Sequence, residues 1–341
     1  MLYHDSGYLN MDFVININVP FIFVIGGRGT GKTYGALKYV LDHGLKFLLL
    51  RRTQTQVDMI RDDQFNPFRK YKEYNIGVKN INKNMTGVYQ TAFDEEKQMN
   101  VISGAPIGYI CALSTISNIR GFNADDIDII IFDEFIGEKH ERSIKEEGNA
   151  VLNAYETINR NRELEGRQPV KFIALANSNN LANPLFMQLK LVSVVERMKA
   201  KEQEIYVNNK TGLAIILLQK TKISEAKEKT ALYQLAGDSE FSQMSLSNEF
   251  SAEERSLIAS RNLNDFKPVC FVGELAIYRK DREYYVTDHK RGSAKTYEAS
   301  EMDLHRFRRE CYFIWIAYLH NKIIFESYFM QKLFESYFNI H

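Results

Sequence analysis

The sequence predicts an α/β fold built on a mostly parallel sheet, and three observations carry that prediction. Short, wholly apolar segments of strand length alternate with longer segments whose apolar residues recur at helical spacing. A glycine-rich loop joins the first such strand to the first such helix, and a later apolar strand ends in two adjacent carboxylates. Strands apolar on both faces belong in a parallel sheet covered on both sides by helices.

The first strand candidate is Phe21–Ile25 (FIFVI). Thr33–His43 follows as a helix, with Tyr34, Leu37, Val40 and Leu41 at helical spacing and Gly44 as its stop. Lys46–Leu50 (KFLLL), Ile127–Phe132 (IDIIIF) and Phe172–Ala176 (FIALA) are the next strands, with a helix over Glu147–Leu164 before the last. Between Tyr71 and Leu113 the glycine-containing turns predict a small β-meander inserted before the third main strand. Residues 196–238 are rich in Lys and Glu and poor in large apolar residues, which suits a linker or a solvated helical lid. Farther on, Phe271–Tyr278 and Glu283–Thr287 are strands joined by a Lys-Asp-Arg turn. FESYF recurs at Phe325–Phe329 and Phe334–Phe338, and two copies fit a packed helix better than a repeat architecture.

Composition narrows the function classes. At roughly 100–200 residues per domain, 341 residues suggest about two domains. A chain that is 45% hydrophobic and 26% charged is not mainly disordered. No apolar run approaches the roughly 20 residues a membrane helix needs, and MLYHDSGYLN has no basic stretch followed by an apolar core, so neither a membrane span nor a secretory signal is expected. Cys111, Cys270 and Cys311 lack CxxC spacing and read as reduced thiols of a cytosolic protein, neither a disulfide framework nor a zinc site. With 44 Lys and Arg against 43 Asp and Glu, the net charge of +1 gives no overall basic excess. Nucleic acid would therefore be held by a local patch or by several subunits together.

The glycine-rich loop is GGRGTGKT, which fits G-x-x-x-x-G-K-[ST], the Walker A phosphate loop. Gly26, Gly27, Gly29 and Gly31, with Arg28 and Thr30 between them, let the backbone turn its N–H groups inward around phosphates. Lys32 would reach the β/γ oxygens and the Thr33 hydroxyl would ligate Mg²⁺. The apolar strand ending in Asp133 and Glu134 fits Walker B: Asp133 for the Mg²⁺ shell, Glu134 to orient the attacking water. A carboxylate pair after the strand favours the hydrolytic, additional-strand branch of P-loop NTPases over switch GTPases, with ATP as the nucleotide. Three arginines are candidates to stabilise developing phosphoryl charge: Arg28 in cis, Arg120 ahead of the Walker B strand, and Arg160 in INRNRE. Asn177, just past FIALA, stands in the usual place of a γ-phosphate sensor.

In this order, FVIGGRGTGKTY, LLLRRTQ, IIIFDEFIGEK, INRNRE, FIALANSNNLANPLF and QMSLSNEF resemble the DNA-packaging (encapsidation) ATPases of phi29-type phages, compact relatives of the terminase large subunit. The resemblance covers roughly residues 20–250 and fades toward the C-terminus. It implies a homopentameric ring at the portal vertex of an empty prohead that drives double-stranded DNA inward as ATP is hydrolysed. It implies, too, a place in the host cytoplasm, with the protein absent from the mature virion, and a structural packaging RNA as a possible further partner. On that pattern Arg160 acts in trans on the neighbouring subunit's ATP, although Arg162 is an alternative finger, and Arg120 stands near a basic residue of the family. The implied domains are a P-loop ATPase at 1–195, a linker or lid at 196–245 and a small α+β, RNase H-like domain at 246–341.

A terminase-type nuclease needs clustered carboxylates, the first on the opening strand. Val269–Tyr278 (VCFVGELAIY) offers only Glu274, so the fold is expected without the cutting activity. An active nuclease, a helicase, a phage assembly ATPase and a nucleotide-gated scaffold are the alternatives. No second P-loop, no transmembrane segment and the paired carboxylates count against the last three in turn. DNA-gripping candidates are the lysine-rich 195–230 stretch and Lys79–Lys83 on the meander.

Overall fold

The computed structural model describes residues 1–119, 124–138, 141, 144–178, 180–219, 221–237, 239, 242, 245–246 and 256–339. The chain divides into two compact units, one of Met1–Leu185 with Met198–Ser251, the other of Phe186–Arg197 with Ala252–His341.

Among the described residues the larger unit is built on nine strands: β1 (Phe21–Ile25), β2 (Phe47–Arg51), β3 (Ile76–Asn82), β4 (Met85–Asp94), β5 (Met99–Ala112), β6 (Ile129–Asp133), β7 (Lys171–Ala176), β8 (Ile205–Asn208) and β9 (Leu213–Leu217). Their order is β3-β4-β5-β2-β6-β7-β1-β9-β8. From β5 to β9 the neighbours run parallel, with Val24 level with Leu175 on one side and Ile216 on the other. The four predicted strands are these, to within two residues at each end. They are buried on both faces because helices cover both.

Helix α1 (Met11–Ile15) is capped by Asn10, whose side chain accepts from Phe13 N at 3.2 Å. Helix α2 (Lys32–Asp42) turns Ala36, Leu37 and Val40 onto the sheet. Helix α3 (Gln54–Ile60) starts at a Thr53–Gln56 capping box. Helix α4 (Glu147–Asn159) stops five residues short of the predicted Leu164, since Arg160 adopts a positive φ of 45° and the Asn159 side chain turns back to accept from Val170 N.

The meander expected between Tyr71 and Leu113 is present: β3, β4 and β5 pair antiparallel, and the far end of β5 joins β2 in parallel. The charged segment after it differs from expectation. Within the segment expected to be a linker or lid, residues 205–217 form the hairpin β8–β9, and β9 pairs directly with β1. Five consecutive apolar residues, LAIIL, drive β9 into the core despite the charged residues around them.

The smaller unit is α+β. Its strands are β10 (Lys267–Val272), β11 (Leu275–Lys280), β12 (Glu283–Thr287), β13 (Lys295–Tyr297) and β14 (Ile323–Phe325), in the order β13-β10-β11-β12-β14. β10, β11 and β12 pair antiparallel, while β13 and β14 join the two edges in parallel. The segment expected as one strand, Phe271–Tyr278, is a hairpin, because Gly273 takes a φ of +51° and reverses the chain. The first FESYF runs from β14 through the cap Ser327 into the helix Tyr328–Phe338, and the second ends that same helix. Phe325 and Phe334 meet edge to face at 5.3 Å in the core. The three cysteines are free and buried; Cys270 and Cys311, distant in sequence, lie with their sulfurs 4.0 Å apart. Among the described residues no helix is long and apolar enough to cross a membrane.

Candidate active site

The chain leaves β1 at the carboxyl edge of the sheet and enters α2 through the glycine loop. Gly29 and Gly31 take φ values of +70° and +92°, which a side chain disfavours, and Gly31 is the N-cap of α2. Gly26 is required for space: a Cβ there would lie 2.5 Å from the Leu218 Cβ. A glycine loop that leads into a helix N-terminus offers backbone N–H groups to an anion.

Lys32 is buried, and its ammonium donates to the carbonyls of Gly26 and Gly27 at 2.8 and 2.7 Å and to Asn177 Oδ1 at 3.3 Å. Burial pushes its pKa down to about 7, opposed by the charge of Asp133 and reinforced by Lys227 and Arg28. Thr33 Oγ1 donates to Asp133 Oδ1 at 2.8 Å, so the ends of α2 and β6 present two hard oxygen donors side by side. Such a set suits Mg²⁺.

Glu134 follows Asp133 at a φ of +59° and projects beyond the strand end. Burial raises its carboxyl pKa; Arg51 opposes this, while Asp133, Glu141 and Glu138 add to it. Gln56 Nε2 donates to Glu134 Oε2 at 3.3 Å. Arg28, at the loop tip, is ion-paired with Glu138 in the segment after Glu134. A cleft of about 680 Å³ adjoins the loop, lined by Tyr8, Leu9, Gly29, Gly31, Tyr34 and Lys38 among others.

Two arginines singled out by no motif complete the site. Arg51, the last residue of β2, donates to Asp133 Oδ2 at 2.6 Å and lies 3.4 Å from Glu134 Oε2. Arg52 is buried and grips buried Glu147 through Nε at 2.7 Å and Nη2 at 3.0 Å, while also pairing with Glu141. The string LLLRRTQ carried them, but only the fold places their carboxylate partners opposite.

Arg160 does not join this cluster. It caps the C-terminal end of α4, with Nε donating to Thr157 O at 3.2 Å and Nη1 3.9 Å from Asp125 Oδ1. Its neighbour Arg162 is buried, and Nη2 donates to the carbonyls of Asp125 and Ile127 at 2.7 and 2.6 Å. Both lie at the start of β6, opposite the end bearing Asp133. Arg120 lies outside the described residues. Glu274 sits in the β10–β11 turn, exposed and 2.7 Å from Lys190 Nζ. Among the described residues the smaller unit does group Asp288, His289 and Glu326, with one ligand atom from each within 4.8 Å of the others.

One strand, β7, stands between the strand that feeds the phosphate loop and the strand that ends in the carboxylate pair. That extra strand, with a glutamate after the aspartate, sets this chain among the additional-strand, catalytic-glutamate P-loop NTPases rather than the switch GTPases. Residues 3–278 match the family described as Podovirus DNA encapsidation protein (Gp16), and the chain belongs to that family. The chain is 28% identical over 267 residues to the DNA packaging protein of Bacillus phage phi29, covering 77% of this chain and 70% of that one. With the DNA packaging protein of Bacillus phage B103 it shares 26% identity over 308 residues, 87% of this chain and 84% of the relative. Two solved structures share the fold along essentially the full length. "The bacteriophage Phi-29 viral genome packaging motor assembly" gives a TM-score of 0.66 at 17% identity, covering 100% of this chain and 99% of that one. "The Phi-28 gp11 DNA packaging Motor" gives 0.66 at 16%, covering 98% of each chain.

Proposed function

We propose that this chain is an ATP-driven motor that moves double-stranded viral DNA into an empty prohead. Family membership supports the DNA and the prohead. The single observation that carries the ATPase chemistry is the meeting of Thr33 with Asp133 at 2.8 Å, with Glu134 next in line.

The phosphates of ATP would be held by the loop N–H groups from Gly26 to Thr33 and by Lys32, with the nucleoside in the cleft beside Gly31 and Tyr34. Thr33 and Asp133 would hold Mg²⁺, which when bound neutralises phosphate charge. Glu134 orients the attacking water and takes its proton, and a carboxyl raised by burial is the better base. Asn177, which accepts from the Lys32 ammonium, would sense the terminal phosphate, and Arg28 would close over it from the loop tip.

Arg160 is the proposed trans finger. Arg160 lies beside Asp125, ahead of β6, and at about 3.3 Å per residue β6 alone puts roughly 13 Å between its start and Asp133, which argues against Arg160 serving its own nucleotide. Arg162 is buried against two backbone carbonyls, whereas the Arg160 side chain is exposed, and this difference favours Arg160. A trans residue requires a homo-oligomeric ring, which we take as a pentamer, with Arg120 as a second basic residue of the same kind. Exposed Lys79 and Lys83 on the β3–β4 hairpin are the proposed DNA-gripping cations. The ring would work at the portal vertex of the prohead in the infected host cell, with a structural RNA between motor and portal, and leave before the virion matures. The smaller unit would act without cutting, since Glu274 is tied to Lys190 in a turn.

The test is protection of DNA from added nuclease after incubation with proheads and ATP. Full-length, uncut DNA should become resistant, and ribonuclease treatment of the proheads should abolish this. Continued ATP turnover with no protected DNA contradicts the assignment.

A further inference from the structure

The helix Lys222–Glu228 rises from the N-cap Thr221, whose hydroxyl accepts from Ser224 N at 3.4 Å. Its base is fixed to the N-terminal segment: Lys222 packs against Gly7, and Gln219 N donates to the Tyr3 hydroxyl at 3.1 Å. Its far end carries Lys227, whose ammonium donates to the Arg28 carbonyl at the tip of the phosphate loop and occupies the space a Cβ on Gly29 would need. Arg28, Lys32 and Lys227 therefore bring three cations to one loop. Burial, and then the nearby charge of Arg28, lower the pKa of Lys227.

Glu138 offsets the charge of Arg28; the cationic excess left on a phosphate loop suits a polyanion, and the positions of the three cations divide the task. Lys32 lies deep, at the start of α2. The loop tip lies on the hydrolytic side, because Arg28 is paired with Glu138 just beyond Glu134. We propose that Lys227 is a second cis cation for the terminal phosphate of a bound triphosphate, so that the helix Lys222–Glu228 distinguishes a triphosphate from a diphosphate. Lysine suits the position: its ammonium is a point charge on a flexible stem and can exchange one carbonyl for a phosphate oxygen without moving the helix base. This inference rests on the nucleotide site proposed above.

The experiment measures Kd for ADP and for a non-hydrolysable ATP analogue, with Mg²⁺, on the full chain and on Lys227→Ala, Lys227→Arg and Lys32→Ala. Lys227→Ala should lose about tenfold for the analogue and little for ADP, as expected for one charge-assisted contact. Lys227→Arg should restore most of that loss, and the Tm of Lys227→Ala without nucleotide should not fall, since removing a like charge relieves repulsion. Equal loss for both nucleotides, or no loss, overturns the inference while a wild-type preference for the analogue leaves the nucleotide site standing. Absence of nucleotide binding by the wild-type chain overturns both.

Discussion

Glu134→Gln is expected to bind ATP and to turn it over about 10²–10⁴ times more slowly than the wild-type chain, the usual worth of a positioned general base. The amide keeps the shape and size of the side chain and cannot take a proton from water. The cradle around it stays in place: Arg51 remains on Asp133, and the Thr33–Asp133 contact is untouched. Nucleotide affinity and hydrolysis therefore separate, and measuring both on one preparation checks the assignment. Turnover near the wild-type rate would remove Glu134 from the water-orienting role. The same variant tests Arg160. Arg160→Ala subunits should be inactive alone and regain turnover when mixed with Glu134→Gln subunits, because each supplies what the other lacks at a shared interface. Mixtures that stay inactive would remove the trans assignment.

Arg52→Ala is expected to cost about 3–5 kcal/mol of stability, the range for breaking one side of a buried ion pair. Burial works against the charge on Arg52, and Glu147 and Glu141 more than offset it, holding its pKa above the ordinary arginine value. Without the guanidinium, Glu147, itself buried, faces the interior with its charge uncompensated. The guanidinium also packs where a Cβ on Gly137 would sit, so its loss loosens the segment that follows Glu134. Urea unfolding should show a lower midpoint, and Arg52→Met paired with Glu147→Met should recover much of the loss, because two apolar residues leave no buried charge behind. A loss below about 1 kcal/mol, the range of an exposed pair, would contradict the structural role.

The parts of this site legible in the sequence are those whose chemistry is local. The phosphate loop and the Asp133–Glu134 pair each declare themselves within eight residues, because backbone cradles and strand-end carboxylates are built from neighbours in the chain. Arg51 and Arg52 were not legible as site residues. Their partners lie 82 and 95 residues away, and nothing in a charged strand end says that carboxylates will stand opposite it. β9 escaped notice for another reason: charge density averaged over 196–238 concealed five apolar residues that one central strand needs. The hairpin at Gly273 looked like one long strand because β10 and β11 are both apolar next to the turn, and only the positive φ of the glycine divides them. Arg160 and Arg162 stand two residues apart in the same motif, and nothing in the sequence says that Arg162 is the one the fold turns inward.

The measurement that bears most directly on a DNA-driven ATPase is turnover by the purified chain with and without double-stranded DNA, at two salt concentrations. The expected result is stimulation by DNA that fades as salt rises, since sequence-independent grip on phosphates is lost with counterion release. Robust turnover indifferent to DNA at both salt concentrations would keep the ATPase and contradict its role as a DNA motor.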